Sequence, residues 1–121
     1  MTQPALGFAR RFRLRKRQHF LRTQRRGQRI AAGNVVVFMA QHRLPHSRFG
    51  FTVSKKVGKA VVRNKVRRRL KEIIRQNRSA FPQRHCFVII AHPDAAQADY
   101  SRLKQDLLSA AERAHTRQRT P

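Results

Sequence analysis

Basic side chains recur at helical spacing in the segment KAVVRNKVRRRLKEIIR, and one asparagine lies among them. At about 100° per residue, Arg63, Arg67 and Lys71 fall at successive i, i+4 positions, and Asn64 and Arg68 form an adjoining row. Like charges at this spacing destabilise an isolated helix unless phosphate groups lie across them. Arginine binds phosphate oxygens through two parallel hydrogen bonds, and an asparagine amide can bond a base, a sugar or a phosphate. The pattern favours a nucleic-acid-binding helix face over the alternative, a solvated charged face.

The charge of the whole chain points the same way. Its 121 residues include 29 Lys plus Arg and 5 Asp plus Glu, which gives a formal net charge of +24. The stretch 1–71 contains 21 of the basic residues and no acidic one. Self-repulsion on this scale opposes a compact state unless a polyanion neutralises it. Nucleic acid is the expected partner, and an anionic membrane surface is the competing interpretation.

A membrane partner is nevertheless not expected. The longest apolar runs, VVVFMA and FVIIA, are far shorter than the roughly 20 residues that span a bilayer. The sequence MTQPALGFARRFR lacks the apolar segment of a secretory signal, and a single cysteine allows no internal disulfide. These features predict a cytoplasmic location.

The side chains that could perform catalysis are sparse. Metal-dependent hydrolysis needs clustered carboxylates, and the five acids are scattered through the C-terminal half. His42 and His46 could act as a metal-free acid and base, but they flank a turn and are better explained as surface residues. Cys86 has no partner at zinc-site spacing and sits in an apolar run, which favours burial. No metal site and no catalytic residue is predicted in the protein.

Six elements are expected to position these side chains. The order of helix, paired strands, helix, strand and helix indicates an α+β fold in which helices cover a mainly antiparallel sheet. We expect one RNA-binding domain over residues 1–121, with a basic arm and a tail that are loosely ordered. The predicted elements and ends are a helix over 15–27, strands over 34–40 and 47–54, a helix over 60–75, a strand over 85–91, a helix over 99–114, the arm 1–13 and the tail 115–121.

Spacing also predicts how these elements pack. The linker QHRLPHS is of hairpin length, so the strands 34–40 and 47–54 are expected to pair antiparallel, and Gly50 would leave room for another group to approach the sheet. Asp99 is a candidate N-cap of the last helix. The apolar residues of this helix recur every three or four positions and so fall on one face. Three sets of apolar residues are expected to hold helices to the sheet: Leu14, Phe20 and Leu21; Val62, Val66, Leu70, Ile73 and Ile74; and Tyr100, Leu103, Leu107, Leu108 and Ala111.

RNA is favoured over DNA as the ligand. A second helix packed in helix-turn-helix fashion is absent from the pattern, since strands precede and follow the basic helix. Aromatic residues on a sheet beside a basic helix are typical of single-stranded or structured RNA recognition. Phe20, Val36 and Phe38 could form an apolar cleft between the first helix and the sheet, although most such aromatics belong to a core.

The segment RFGFTVSKKVGKAVVRNKVRRRLKEIIR resembles the protein component of bacterial ribonuclease P. In that family a glycine-containing strand ends in Lys-Lys, a short glycine loop follows, and a basic helix carries Arg-Asn-Arg. Here the triplet is Arg63, Asn64 and Lys65, so its third position keeps the charge but loses the guanidinium fork. The resemblance extends more weakly over nearly the whole chain, from LRKRQHF to the amphipathic last helix.

The resemblance implies a four-stranded, mainly antiparallel sheet covered by helices, with a left-handed β-α-β crossover that departs from the usual right-handed rule. It also implies that an RNA subunit uses Mg²⁺ to remove the 5′ leader of precursor tRNA, while the protein assists as an accessory subunit. The implied partners are this RNA subunit and the leader. No cofactor of the protein, no obligate protein partner and no membrane contact are implied.

Site residues are carried over by position. The basic helix and the loop before it are expected to contact the RNA subunit, and the cleft between the first helix and the sheet is expected to hold the leader. A second cleft aromatic of the family is replaced by Gln24 here, which weakens stacking or substitutes hydrogen bonding. The implied RNA contacts are Lys55, Lys56, Lys59, Arg63, Asn64, Lys65, Arg67, Arg68 and Lys71, and the implied cleft residues are Phe20, Gln24, Val36 and Phe38.

Two other functions fit the composition. A structural RNA-binding protein of the ribosomal type would carry similar charge, and a DNA-compacting protein would bind duplexes tightly without preference for a leader-bearing tRNA. Co-purification separates the first alternative, because it predicts a ribosomal particle instead of a single RNA of ribonuclease P type.

Overall fold

The computed structural model describes residues 10–118, which form a four-stranded sheet and three α-helices. A sheet with helices on its faces is the predicted α+β class, and the prediction is confirmed. In chain order the elements are α1 (Arg17–Arg26), β1 (Gln28–Ala32), β2 (Val35–Gln41), β3 (Arg48–Thr52), α2 (Ala60–Asn77), β4 (His85–Ala91) and α3 (Tyr100–Gln118).

The strand order is β1-β2-β4-β3, with β3 parallel to β4 and the other neighbours antiparallel. The predicted hairpin of β2 with β3 is therefore wrong, because β4 lies between them. Phe87, Val88 and Ile89 are all completely buried, so β4 is apolar on both faces and takes the centre of the sheet. The linker length permitted a hairpin without requiring one.

The partner of β2 at the sheet edge is β1, a strand that the sequence pattern did not predict. A tight turn joins them, and Gly33 has a φ of 58° there, a conformation that favours glycine. Asn34 donates from its backbone N and its Nδ2 to Asp106 Oδ2, both at 3.0 Å. This buried carboxylate fixes the turn to α3.

The two faces of the sheet have different cover. Alternate residues of β2, Val35, Val37 and Met39, are buried in the main core with α2 and α3. The residues between them, such as Val36 and Phe38, face the other way and are only half-buried, because α1 covers part of that side. A partly open apolar face therefore remains beside α1.

The apolar stripe of α2 packs as predicted. Val66, Leu70, Ile73 and Ile74 are at most 1% exposed, whereas Val62, near the start of the helix, is half-buried. Since α2 connects the parallel strands β3 and β4, these elements form the implied β-α-β unit. Its left hand stays a prediction from the resemblance.

The first helix is anchored differently from the prediction. Leu14 and Thr23 are buried and Phe20 is half-buried, but Leu21 is 40% exposed, so its expected anchoring role is wrong. Leu21 follows Phe20 by one residue, which in a helix turns it about 100° away from the sheet. A Cβ on Gly50 would come within 2.4 Å of the Phe20 ring, so the group that this glycine admits is Phe20 itself.

The described ends are more structured than the predicted arm and tail. Residues 10–13 include a 3₁₀ turn, and Arg13 forms an isolated parallel β-bridge with Phe49 of β3. The last helix continues four residues past Ala114, since His115 bonds the Ala80 carbonyl and Arg117 bonds the Arg29 carbonyl. The remainder of both predicted segments, 1–9 and 119–121, lies outside the described residues.

A substitution at Gly27 tests the junction of α1 and β1. A Cβ there would lie 2.4 Å from the Thr23 carbonyl oxygen and 2.8 Å from the Met39 carbonyl oxygen. Because both contacts are with backbone, Gly27→Ala should lower the free energy of unfolding by about 1–3 kcal/mol, measured by urea denaturation with sulfate present. The exposed neighbour provides the control, since Gln28→Ala should stay within about 0.5 kcal/mol of wild type. Equal stabilities for the two variants would contradict the close approach.

Candidate nucleic-acid interface

The basic residues of α2 lie on the side away from its buried stripe. Asn64, Lys65 and Arg68 are exposed, and Arg63 and Arg67 are half-exposed. Arg67 Nη1 donates to Asn64 Oδ1 at 2.9 Å, which ties the two predicted rows together. None of the salt bridges among the described residues involves any of the three arginines, so their charges remain available to an anionic ligand.

The loop before α2 adds three exposed lysines next to this face. Ser54 Oγ accepts from Lys56 N at 3.3 Å and caps the short 3₁₀ turn, and the buried Val57 holds that turn to the core. Arg63 Nε donates to the Gly58 carbonyl at 3.1 Å and so links the loop to the helix. Together they form the α2 face, which consists of Lys55, Lys56, Lys59, Arg63, Asn64, Lys65, Arg67, Arg68 and Lys71.

Arg13 joins the α2 face, although the sequence pattern did not predict it. Burial and the neighbouring charges of Arg67 and Arg13 lower the pKa of Lys71. Leu14 N donates to the Phe49 carbonyl at 2.9 Å, which holds the chain around Arg13 against β3. In the sequence RFRLR, the apolar Leu14 among the arginines was the signal that this arm contacts the sheet. In the structure Leu14 is buried.

The predicted cleft residues lie on the partly open face of the sheet or on the helix beside it. Val36 and Phe38 belong to β2, while Phe20 and Gln24 are one turn apart on α1. Phe20 lies over Gly50, which pairs with Val88 of β4, and Val88 pairs in turn with Phe38. All four predicted side chains are half-buried.

The histidines considered as a catalytic pair have structural contacts. His42 Nε2 lies 2.8 Å from the His46 carbonyl oxygen, and His42 Nδ1 lies 3.0 Å from Cys86 Sγ. A carbonyl only accepts, so Nε2 of neutral His42 holds the proton and Nδ1 accepts from the Cys86 thiol. Burial raises the pKa of Cys86 and lowers that of His42, which keeps both groups neutral. Cys86 is half-buried and hydrogen-bonded rather than a plain core residue.

Within residues 10–118, no group of three His, Cys, Asp or Glu side chains could hold a metal ion. Three of the acids have structural roles: Glu72 pairs with Arg75 at 2.5 Å, Asp99 caps α3 through Arg102 N, and Asp106 holds the β1–β2 turn. In the same range no helix is long and apolar enough to cross a membrane.

Comparisons with known proteins agree on one family. The sequence model of the family described as "Ribonuclease P" matches residues 8–115. The ribonuclease P protein component of Streptomyces avermitilis is 40% identical over 110 residues, covering 84% of this chain and 89% of the relative. That of Kocuria rhizophila is 43% identical over 100 residues, covering 83% and 88%. The solved ribonuclease P protein of Thermotoga maritima superposes with a TM-score of 0.77 at 30% identity, covering 84% of this chain and 96% of that structure.

Acid should destabilise the fold through His42. Burial, followed by the charge of Arg48, lowers the pKa of His42 below its ordinary 6.5, although the His46 carbonyl acts in the opposite direction. The unfolded chain therefore binds more protons as the pH falls through 6.5, so the free energy of unfolding decreases with acidity. His42→Gln can still donate to the His46 carbonyl and should flatten this dependence, measured by urea denaturation between neutral and mildly acidic pH. An equally steep dependence in the variant would contradict the assignment.

Proposed function

The chain belongs to the ribonuclease P protein family, and we propose on this premise that it binds both the catalytic RNA subunit and the 5′ leader of precursor tRNA. In this role it assists endonucleolytic removal of the leader, which produces the mature tRNA 5′ end. The chemistry belongs to the RNA, and the protein contributes binding and electrostatics.

The observation that carries the proposal is the division of α2 into a buried stripe and a cationic side. Because Leu70 and Ile74 are completely buried, the helix is held against the sheet. Arg67 and Arg68 then point away from the core, where phosphates of a folded RNA can reach them. Lys65 supplies charge without a bidentate fork, so we assign it a point-charge contact.

The second half of the proposal concerns the cleft. Phe20 and Phe38 offer aromatic faces on which unpaired bases can stack, and single-stranded RNA is bound in this way by other sheet proteins. Gln24 offers an amide where the family has an aromatic ring, so one stacking contact is replaced by hydrogen bonding. This cleft lies on one face of the sheet. The core lies on the other face, and α2 helps to cover that core. One subunit can therefore contact the RNA and the leader together.

Magnesium is assigned to the RNA. The carboxylates of the described residues do not make a three-ligand cluster, and Glu72 and Asp106 are already held by arginine or backbone partners. We therefore propose no Mg²⁺ site among residues 10–118. The protein's cations lower the electrostatic cost of bringing leader phosphates beside the RNA.

Loss of the α2 cations should impair leader removal most at low magnesium. Arg67→Ala combined with Arg68→Ala removes two phosphate contacts, so cleavage by reconstituted RNA and protein should slow by about tenfold or more at limiting substrate. High magnesium should restore much of the rate. The matched control, Arg43→Ala with Lys104→Ala, removes the same charge away from the α2 face and should retain activity. Equal rates for both double variants would refute the role of α2, and cleavage by the protein without RNA would refute the whole assignment.

Leader affinity should depend on the aromatic ring of Phe38. Phe38→Leu keeps an apolar side chain but removes stacking, which is worth about 1–3 kcal/mol per base. The affinity of the holoenzyme for precursor tRNA should fall accordingly, while its affinity for mature tRNA should not change. Equal losses for both tRNAs would contradict a leader-specific cleft.

A further inference from the structure

The ring of Phe12 lies in a group of side chains where the arm meets the end of α2. The Cζ atom of Arg78 lies 3.5 Å from the centroid of this ring, and that of Arg11 lies 5.0 Å from it. The His46 ring is nearly perpendicular to the Phe12 ring, with the centroids 5.5 Å apart. Arg78 begins the 3₁₀ turn that follows α2, and His46 belongs to the loop before β3. Phe12 therefore ties the arm to two separate elements.

Arg78 depends on this ring because no carboxylate balances its charge. None of the salt bridges among residues 10–118 involves Arg78, and its Nε is buried there without a hydrogen-bond partner. Burial, followed by the charges of Arg11 and Arg75, lowers the pKa of Arg78. The face of an aromatic ring attracts a cation, so Phe12 stabilises this guanidinium. A cavity of only about 30 Å³, room for about one water molecule, remains beside the ring.

The position of Phe12 determines that of the next residue, Arg13. Arg13 forms its β-bridge with Phe49, and Leu14 N donates to the Phe49 carbonyl at 2.9 Å. These backbone contacts fix the height of the arm on β3, an edge strand of the sheet. Phe12 adds the contact with the end of α2, so the arm is held from both sides.

Arg13 completes a group of three cations with Arg67 and Lys71. Burial, Arg67 and Arg13 together lower the pKa of Lys71, which places the Arg13 charge beside the α2 face. None of the salt bridges in the described part of the chain involves any of the three. Three like charges at one place repel each other unless an anion lies between them.

We propose that Phe12 is a positioning residue for RNA binding, which holds Arg13 in place to bind a phosphate of the catalytic RNA. Arg67 and Lys71 contact the same stretch of RNA backbone. The inference rests on the proposed function and deepens it, because it extends the α2 face onto the arm through a residue that carries no charge.

A purely structural role for Phe12 has different consequences. If the ring only stabilised the fold, its loss would weaken RNA binding equally with and without Arg13. A phosphate contact is recognised instead by salt, since each one contributes roughly one unit to the slope of log affinity against log salt concentration. A neutral residue that changes this slope must act through a cation.

The test measures the affinity of the protein for the ribonuclease P RNA subunit at several salt concentrations. Arg13→Ala should weaken binding about tenfold and make the salt dependence shallower by roughly one unit of slope. Phe12→Ala should reduce the slope by a similar amount, although it removes no charge. In an Arg13→Ala background, Phe12→Ala should have no further effect. An unchanged slope for Phe12→Ala, or equal losses in both backgrounds, would overturn the proposal.

Two further substitutions of Phe12 test whether its aromatic face is what matters. Phe12→Tyr keeps this face and should bind RNA as wild type does. Phe12→Leu keeps an apolar side chain but loses the cation contact, so its affinity should fall about two- to fivefold. Wild-type affinity for Phe12→Leu would overturn the role of the ring. If Phe12→Ala does not fold, the slopes and the two backgrounds are compared with Phe12→Leu instead.

A charge control and a helix variant complete the design. Arg43→Ala removes one exposed arginine from the loop between β2 and β3 and should keep both affinity and slope. A loss equal to that of Arg13→Ala would overturn the specific contact. If Arg67→Ala with Arg68→Ala weakens RNA binding and the arm variants do not, the inference is refuted and the α2 face stands. If that double variant also binds as wild type does, RNA binding by the α2 face is itself refuted.

Discussion

The structure depends on one amphipathic constraint: α2 must bury its apolar stripe while the charges beside it stay at least partly exposed. Val66 and Leu70 reach the core, while Arg67 and Arg68 between them in sequence stay outside. Burying an unpaired guanidinium is far more costly than burying a leucine side chain is favourable. The helix can therefore sit in only one rotation about its axis, and that rotation determines where the cations point.

The few acids reinforce this separation because they act on the fold and not on the α2 face. Asp106 holds the β1–β2 turn, Asp99 caps α3, and Glu72 pairs with Arg75 farther along α2. Backbone carbonyl groups accept hydrogen bonds from arginines in place of carboxylates. Arg117, for example, donates to the Arg29 carbonyl at the sheet edge. The basic surface is consequently left without internal counter-charges, and an RNA partner supplies them.

Local pattern predicted the helices and the three apolar strands, because burial of a periodic face is encoded within each segment. Pairing of β2 with β4 was not predictable in this way, since it depends on which apolar run takes the centre. The strand β1 was missed because only Ile30 and Ala32 of QRIAA are buried, which gives a weak alternation. The α2 face followed from spacing, whereas the position of Arg13 beside it arises from contacts between distant segments.

The central claim is that opposite parts of this protein contact different RNAs at the same time. The most direct measurement is site-specific crosslinking from single cysteines placed in a Cys86→Ala background, which is feasible because the sequence has one cysteine. In the assembled complex, Arg68→Cys should crosslink to the catalytic RNA and Val36→Cys to the precursor leader. Crosslinking of both positions to the same RNA would contradict the account.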